Sequence, residues 1–284
     1  MGFNNSKIDN AIRKELIKPL NDGCKYNVNK LIHEQKTKHK ETINLLCQAY
    51  STLDNAYHNL KSLNLVDCCT LLRSAYEYIM MGMVIQFYDD VYNEFVDLTT
   101  TSSTRDKTCI MNVKNKFKTH LNDICSALFK DLNRKEKDKL LTELYDKLCY
   151  FTHSSLVVST LMEIKNSHEK ECFGVVIFQN YLFLKILLFA CLKYFTNDQE
   201  HYLYIDNIGF SYAFLFVKIE FFVKQYKIDF DKYKELFYYD KNIEYFEKNK
   251  TDLIEQIKLL FSEIQNLDDG KLKDLDEKLK AFFV

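Results

Sequence analysis

At 284 residues, with 47% hydrophobic and 28% charged side chains, the chain has room for a large core and excludes a disordered composition. Its formal net charge of -1 excludes a global field that draws it to nucleic acid or anionic lipid, so such binding has to come from a local patch. One proline, Pro19, and six glycines are too few for the turns of a sheet protein, and they predict an all-α fold: a helical bundle of long antiparallel helices with additional C-terminal helices.

In chain order, Ile8, Ile12 and Leu16 predict a short amphipathic helix that ends near Lys18-Pro19, because proline disfavours helix at the residue before it. A turn is expected at Asn21-Asp22-Gly23, closing an N-terminal arm over residues 1–27. From Val28 to Leu63, Leu31, Ile43, Leu46, Ala49, Tyr50, Leu53, Tyr57 and Leu60 predict one long helix whose polar first half, with His33 and His39, projects into solvent.

Asn64 marks the bend into a central helix from Leu65 to about Asp97. Leu65, Cys69, Leu72, Tyr76, Met80, Met83, Phe87, Val91 and Phe95 recur at three- and four-residue spacing and form its core stripe. A second stripe, Val66, Thr70, Arg73, Glu77, Met81 and Val84, sets the Arg73–Glu77 pair among apolar neighbours and predicts that it is buried. Arginine occurs only at positions 13, 73, 105 and 134, which adds weight to one placed in a helix core. A buried ion pair costs several kcal/mol per ion to desolvate and needs compensation.

The serine- and threonine-rich run at 98–107 predicts a loop, and Val113, Phe117, Leu121, Ile124 and Leu128 predict a helix after it. The lysines of that helix, Lys114, Lys116 and Lys118, read as a solvated face. Leu140, Leu144, Leu148 and Phe151 begin a further apolar line, interrupted by the polar run Thr152-His153-Ser154-Ser155. From Phe173 to Phe195 the chain is apolar enough to invite comparison with a membrane helix. Gln179, Asn180, Lys185 and Lys193 break the run, so a buried central helix and no membrane span are expected. Aromatic density from Tyr212 to Phe222 suits core or a dimer surface. Charge-rich amphipathic helices follow, giving a bundle over 28–225 and an extension over 226–284.

Nine scattered cysteines with no CxxC or CxxxC pair predict free thiols in a reducing, cytoplasmic compartment, without a disulfide framework or a zinc site. No Walker loop, Gly-rich dinucleotide turn or G-x-S-x-G element occurs, no Glu-x-x-His pair suggests a di-metal centre, and no cofactor is expected.

The polar groups most out of place are Arg73 and Glu77 on the central helix and Tyr150 and His153 on a later one. If the two faces meet, they make a polar pocket with a guanidinium for phosphate and an imidazole for proton transfer. Two roles remain open: a satisfied network that fixes helix register, with His153 bonded to Glu77 or a carbonyl, or a catalytic or ligand-binding site.

The segment Leu71-Leu72-Arg73-Ser74-Ala75-Tyr76-Glu77, followed by Tyr145, Leu148, His153 and Ser154, resembles a group of uncharacterised bacterial helical proteins related to the HEPN superfamily. In that group an LLRSxxE helix is paired with a YxxLxxxxH element. The resemblance spans roughly residues 40 to 165. It implies a HEPN-like helical core, often dimeric, and a metal-independent ribonuclease of a phage-defence or toxin–antitoxin system, with Arg73, Glu77, Tyr150 and His153 as catalytic residues. RNA and a homodimer or heteromeric defence complex are the implied partners. Here Lys147 stands where the ribonuclease signature has arginine and Leu148 where it has a polar residue, so Arg73 would supply the guanidinium from another helix. The alternative is a non-catalytic helical subunit that binds a protein partner or dimerises.

Overall fold

In the computed structural model, residues 13–100, 148–149, 161–198 and 226–228 are described. Among them every regular element is a helix and none is a strand, so the fold is all-α. The chain divides into two compact units, one formed by Leu20–Tyr202 and the other by Met1–Pro19 with Leu203–Val284. In the second unit, Arg13–Ile17 make a π-helical turn in which Leu16 and Ile17 are buried.

Five helices are described: α1 (Lys18–Glu34), α2 (Lys40–Lys61), α3 (Leu65–Phe87), α4 (Asp89–Thr100) and α5 (Ser167–Thr196). The expected stop at Lys18-Pro19 and turn at Asn21-Asp22-Gly23 do not occur. Pro19 lies in the first turn of α1, directly after the π-helical turn of Arg13–Ile17, where the backbone passes from one helical hydrogen-bonding pattern to the other and accommodates a residue without an N–H. Gly23 lies deep in that helix, where an added Cβ would stand 2.6 Å from the Phe189 ring of α5, so close approach explains this glycine rather than a turn.

The long helix expected from Val28 to Leu63 is two helices. Gln35, at φ 46, ends α1 in the left-handed region, its N–H bonded to Leu31 O at 3.0 Å. The Lys36–Lys38 segment that follows is mostly exposed, in line with the solvent-facing first half expected there.

At the end of α2, Leu63 is also left-handed. Its N–H reaches Leu60 O and that of Asn64 reaches Asn59 O, the paired bonds of a Schellman motif, so three residues reverse the chain into α3. Thr42 and Leu46 lie beside Gly82, which makes α2 and α3 an antiparallel pair.

The central helix is also divided. Phe87 ends α3, Tyr88 is extended at φ -125 and ψ 104, and α4 restarts with Asp89 and Asp90 in its first turn, where carboxylates suit the helix dipole. The junction is tied to the α1–α2 connection. Lys38 Nζ donates to Asp89, the Lys38 N–H donates to Gln86 Oε1 at 3.0 Å, and His39 stacks on Tyr92 with ring centres 3.6 Å apart.

On the expected core stripe, Leu65, Cys69, Leu72, Tyr76, Met80 and Met83 of α3 are buried, as is Val91 on α4, while Phe87 and Phe95 are half-buried. Helix α5 opens on Asn166, whose side chain accepts from the His168 N–H, and closes on left-handed Asn197. It runs antiparallel to α2, with Gly174 near Leu60, Tyr181 against Tyr57 and Lys185 against Asp54. Nearly all of its apolar residues are buried, as expected for a central helix. By length and composition it could cross a membrane, and 89% of its most apolar window lies inside the protein.

Candidate functional site

Arg73 and Glu77 are one turn apart on α3, and Arg73 Nε donates to Glu77 Oε1 at 3.0 Å. Their side chains are 23% and 38% exposed, so the pair lies at the boundary of the core and not inside it. The neighbours on the same stripe explain the mistaken burial: Val84 at its far end is buried, whereas Val66 and Met81 are half-buried and Thr70 is exposed. The desolvation cost foreseen for an enclosed pair therefore falls, and the bond is closer to a surface i,i+4 pair of about 0.3–0.5 kcal/mol. A carboxylate holds the guanidinium through Nε and fixes its plane, while water still reaches the group. Tyr150 and His153 lie outside the described residues, as do Ser154 and the polar run around them. Two of the four expected site residues are thus placed side by side, on one helix.

A second polar cluster carries a larger electrostatic burden, and its central residue reads in the sequence only as an interruption of an apolar run. Lys185 is 0% exposed in the middle of α5, between Leu184 and Ile186, and its Nζ donates to Asp54 Oδ1 at 2.7 Å. The ammonium also lies 4.4 Å from the centre of the Tyr50 ring. Asp54 is 41% exposed, so the cation is desolvated and its counter-charge remains wet. A desolvated ion costs several kcal/mol unless partners compensate, and here one carboxylate and one aromatic face do so.

Helical spacing assembles the cluster. Tyr50, Asp54, Tyr57 and Lys61 form one stripe of α2, and Phe178, Tyr181 and Lys185 face it from α5. Tyr181 stacks on Tyr57 at 5.2 Å and on Phe178 at 5.8 Å, and Lys61 covers Tyr57 at 4.9 Å. Burial holds the Tyr181 phenol well above its ordinary value, and the charge of Asp54 adds to that effect. Tyr50 is pushed up to about 12, by burial first and by Asp54 next. The Tyr181 hydroxyl has no hydrogen-bond partner among the described residues. From α1, the Cys24 thiol donates to the Lys185 carbonyl at 3.8 Å, and burial raises its pKa from 9.0 to about 12, which leaves it a neutral, unreactive thiol.

A third group closes the far end of α5. Asn27 is 0% exposed, and its amide donates to Gly23 O and Asp198 Oδ2, each at 2.8 Å, while its carbonyl accepts from the Thr196 hydroxyl. These bonds hold α1 against the C-terminal turn of α5, a structural role. No group of three or more His, Cys, Asp or Glu among the described residues could hold a metal ion. The one sequence signal for the second cluster was a lysine centred in the most apolar segment of the chain. Compared with known proteins, the chain matches no family model, no curated protein and no solved structure.

Proposed function

We propose that the chain is a HEPN-like helical protein of a prokaryotic phage-defence or toxin–antitoxin system, acting in the cytoplasm on RNA as a metal-independent endoribonuclease. The observation that carries this reading is the Arg73–Glu77 pair: a guanidinium oriented by a carboxylate on a rigid helix and still reached by water. An arginine sealed in the core to fix helix register would be dehydrated, whereas one that binds phosphate has to be met from solvent. The all-α fold and the resemblance of the segment around Arg73 support the same reading.

In this mechanism Arg73 binds the scissile phosphate, Glu77 holds its plane, His153 takes the proton of the RNA 2′-hydroxyl, and Tyr150 is a further catalytic residue. The attacking 2′-oxygen forms the new bond to phosphorus as the bond to the 5′-oxygen breaks, and the proton taken up by His153 is delivered to the leaving 5′-oxygen, which leaves a cyclic phosphate and a free 5′-hydroxyl. The test is cleavage of total RNA by the purified chain and growth arrest on induction. Arg73→Ala and His153→Ala should each lower cleavage by about a hundredfold or more while thermal unfolding stays cooperative, the scale expected for loss of a general acid or base or a phosphate ligand. Unchanged cleavage by both variants would rule the mechanism out.

A second reading is a non-catalytic helical subunit that docks a protein partner. Ile32, Met162 and Tyr194 favour it, as large apolar side chains that are 45%, 71% and 51% exposed. It expects no cleavage by the wild type and loss of a co-purifying partner from Tyr194→Ser.

A further inference from the structure

A buried lysine is out of place at position 185. The helix around it is leucine, isoleucine and phenylalanine, and an apolar residue there would pack without any desolvation cost. Lys185 has three N–H donors. Asp54 takes one at 2.7 Å, the Tyr50 face lies beside the ammonium at 4.4 Å, and the remaining donor capacity meets no other acceptor among the described residues. One helical turn away, the Tyr181 hydroxyl is buried and has no partner among the described residues either, although buried hydroxyls are nearly always bonded. Both groups are on the face of α5 that meets Asp54, and both have a proton to donate.

We propose that the Asp54–Lys185 junction is a binding site for a small monocarboxylate, which displaces Asp54 and takes the Lys185 ammonium and the Tyr181 hydroxyl together.

The asymmetry of the pair gives the direction of exchange. Lys185 is fully enclosed, whereas Asp54 is 41% exposed and reaches water by a change of rotamer. Asp54 thus acts as an internal occupant anchored to α2, and its bond uses one donor where a free carboxylate seated between the two groups would use both. The charge of the site defines the ligand class. With Asp54 turned out, one buried cation remains, which a monoanion neutralises and a dianion overcompensates. The Tyr50 ring lies beside the ammonium and suits an aromatic body behind the carboxylate. An organic cation would be repelled by Lys185. The site uses none of the residues assigned to RNA cleavage, so it stands or falls independently of that reading.

The probe is benzoate, with benzamide as its neutral isostere and inorganic phosphate as a second anion, titrated calorimetrically into the full chain at neutral pH. Benzoate should bind the wild type and neither control should. Asp54→Asn removes the internal competitor and should bind benzoate at least tenfold more tightly. Tyr181→Phe removes only an unbonded hydroxyl, keeps the fold, and should bind at least fivefold more weakly than wild type. No binding of benzoate to the wild type, equal affinity in wild type and Tyr181→Phe, or phosphate binding as tight as benzoate would each overturn the proposal. If Asp54→Asn does not fold, the comparison of wild type with Tyr181→Phe decides alone.

Discussion

Lys185 and Gly23 show how much a single position means only through its partner on another helix. In the sequence Lys185 reads as a break in an apolar run, because nothing local distinguishes a lysine that snorkels to the surface from one enclosed against a carboxylate more than a hundred residues away. Arg73 and Glu77 were legible as a pair from their spacing, but their burial was not, since Val66 and Met81 sit at the edge of the core and an apolar letter does not record that. Gly23 reads as turn chemistry beside Asn21 and Asp22, and its real constraint is the Phe189 ring. Glycine to alanine in a helix normally gains about 0.5–1 kcal/mol. At Gly23 the new Cβ would stand 2.6 Å from Phe189 Cε2, inside a packed core, where overpacking costs about 1–3 kcal/mol. Gly23→Ala should therefore lower stability by about 1–2 kcal/mol net. Urea denaturation followed by circular dichroism measures it, and a midpoint at or above that of the wild type would show that the ring yields freely.

Among the elements, existence was easier to read than extent. The stripes of α2, α3 and α5 follow from three- and four-residue spacing, and most of the residues they nominate are buried, with Tyr50, Tyr57 and Phe87 half-buried. The breaks at Gln35–His39 and Tyr88 are not legible in the sequence for physical reasons: the polar run from His33 to Thr42 carries no apolar register to interrupt, periodicity continues across Tyr88, and both junctions are tied by tertiary contacts. Lys38 and His39 from one connection bind Asp89 and Tyr92 in the next, and these contacts repay the hydrogen bonds lost where α3 stops. Neither break carries a glycine or a proline, the residues by which sequence announces an interruption. The cap at Gln35 leaves a measurable trace. It is exposed and left-handed at φ 46, a conformation that costs a residue with a Cβ about 1–2 kcal/mol and costs glycine little. With no packing to lose, Gln35→Gly should raise stability by about 0.5–1 kcal/mol after the greater freedom of glycine in the unfolded chain is deducted. A fall in the thermal midpoint would mean that the Gln35 side chain contributes more than its exposure suggests.

At the scale of the whole molecule, the pattern of enclosed thiols sets how stability depends on pH. Cys24, Cys68 and Cys69 are free and buried, and burial raises all three above the ordinary 9.0, to about 12 for Cys24 and Cys68 and well above 9.0 for Cys69, where the neighbouring Cys68 adds to it. Below pH 9 each thiol is protonated whether the chain is folded or not, and none favours either state. Above it the unfolded chain releases these protons and the folded chain keeps them. Unfolding then becomes more favourable by about 1.4 kcal/mol per thiol per pH unit, or roughly 4 kcal/mol per unit for the three together. Tyr50, raised to about 12 from 10.0, steepens the loss once the pH passes its ordinary value. Such a slope exhausts the margin of an ordinary protein within two or three pH units. The chain should hold a flat urea midpoint from pH 7 to 8.5 and unfold cooperatively between about pH 10 and 11, in step with the appearance of thiolate absorbance. Cys24→Ala should shallow that slope, because one of the buried ionisations is then gone. A midpoint unchanged to pH 11, or thiols that ionise near pH 9 before the helices melt, would show that water reaches these side chains in the folded protein.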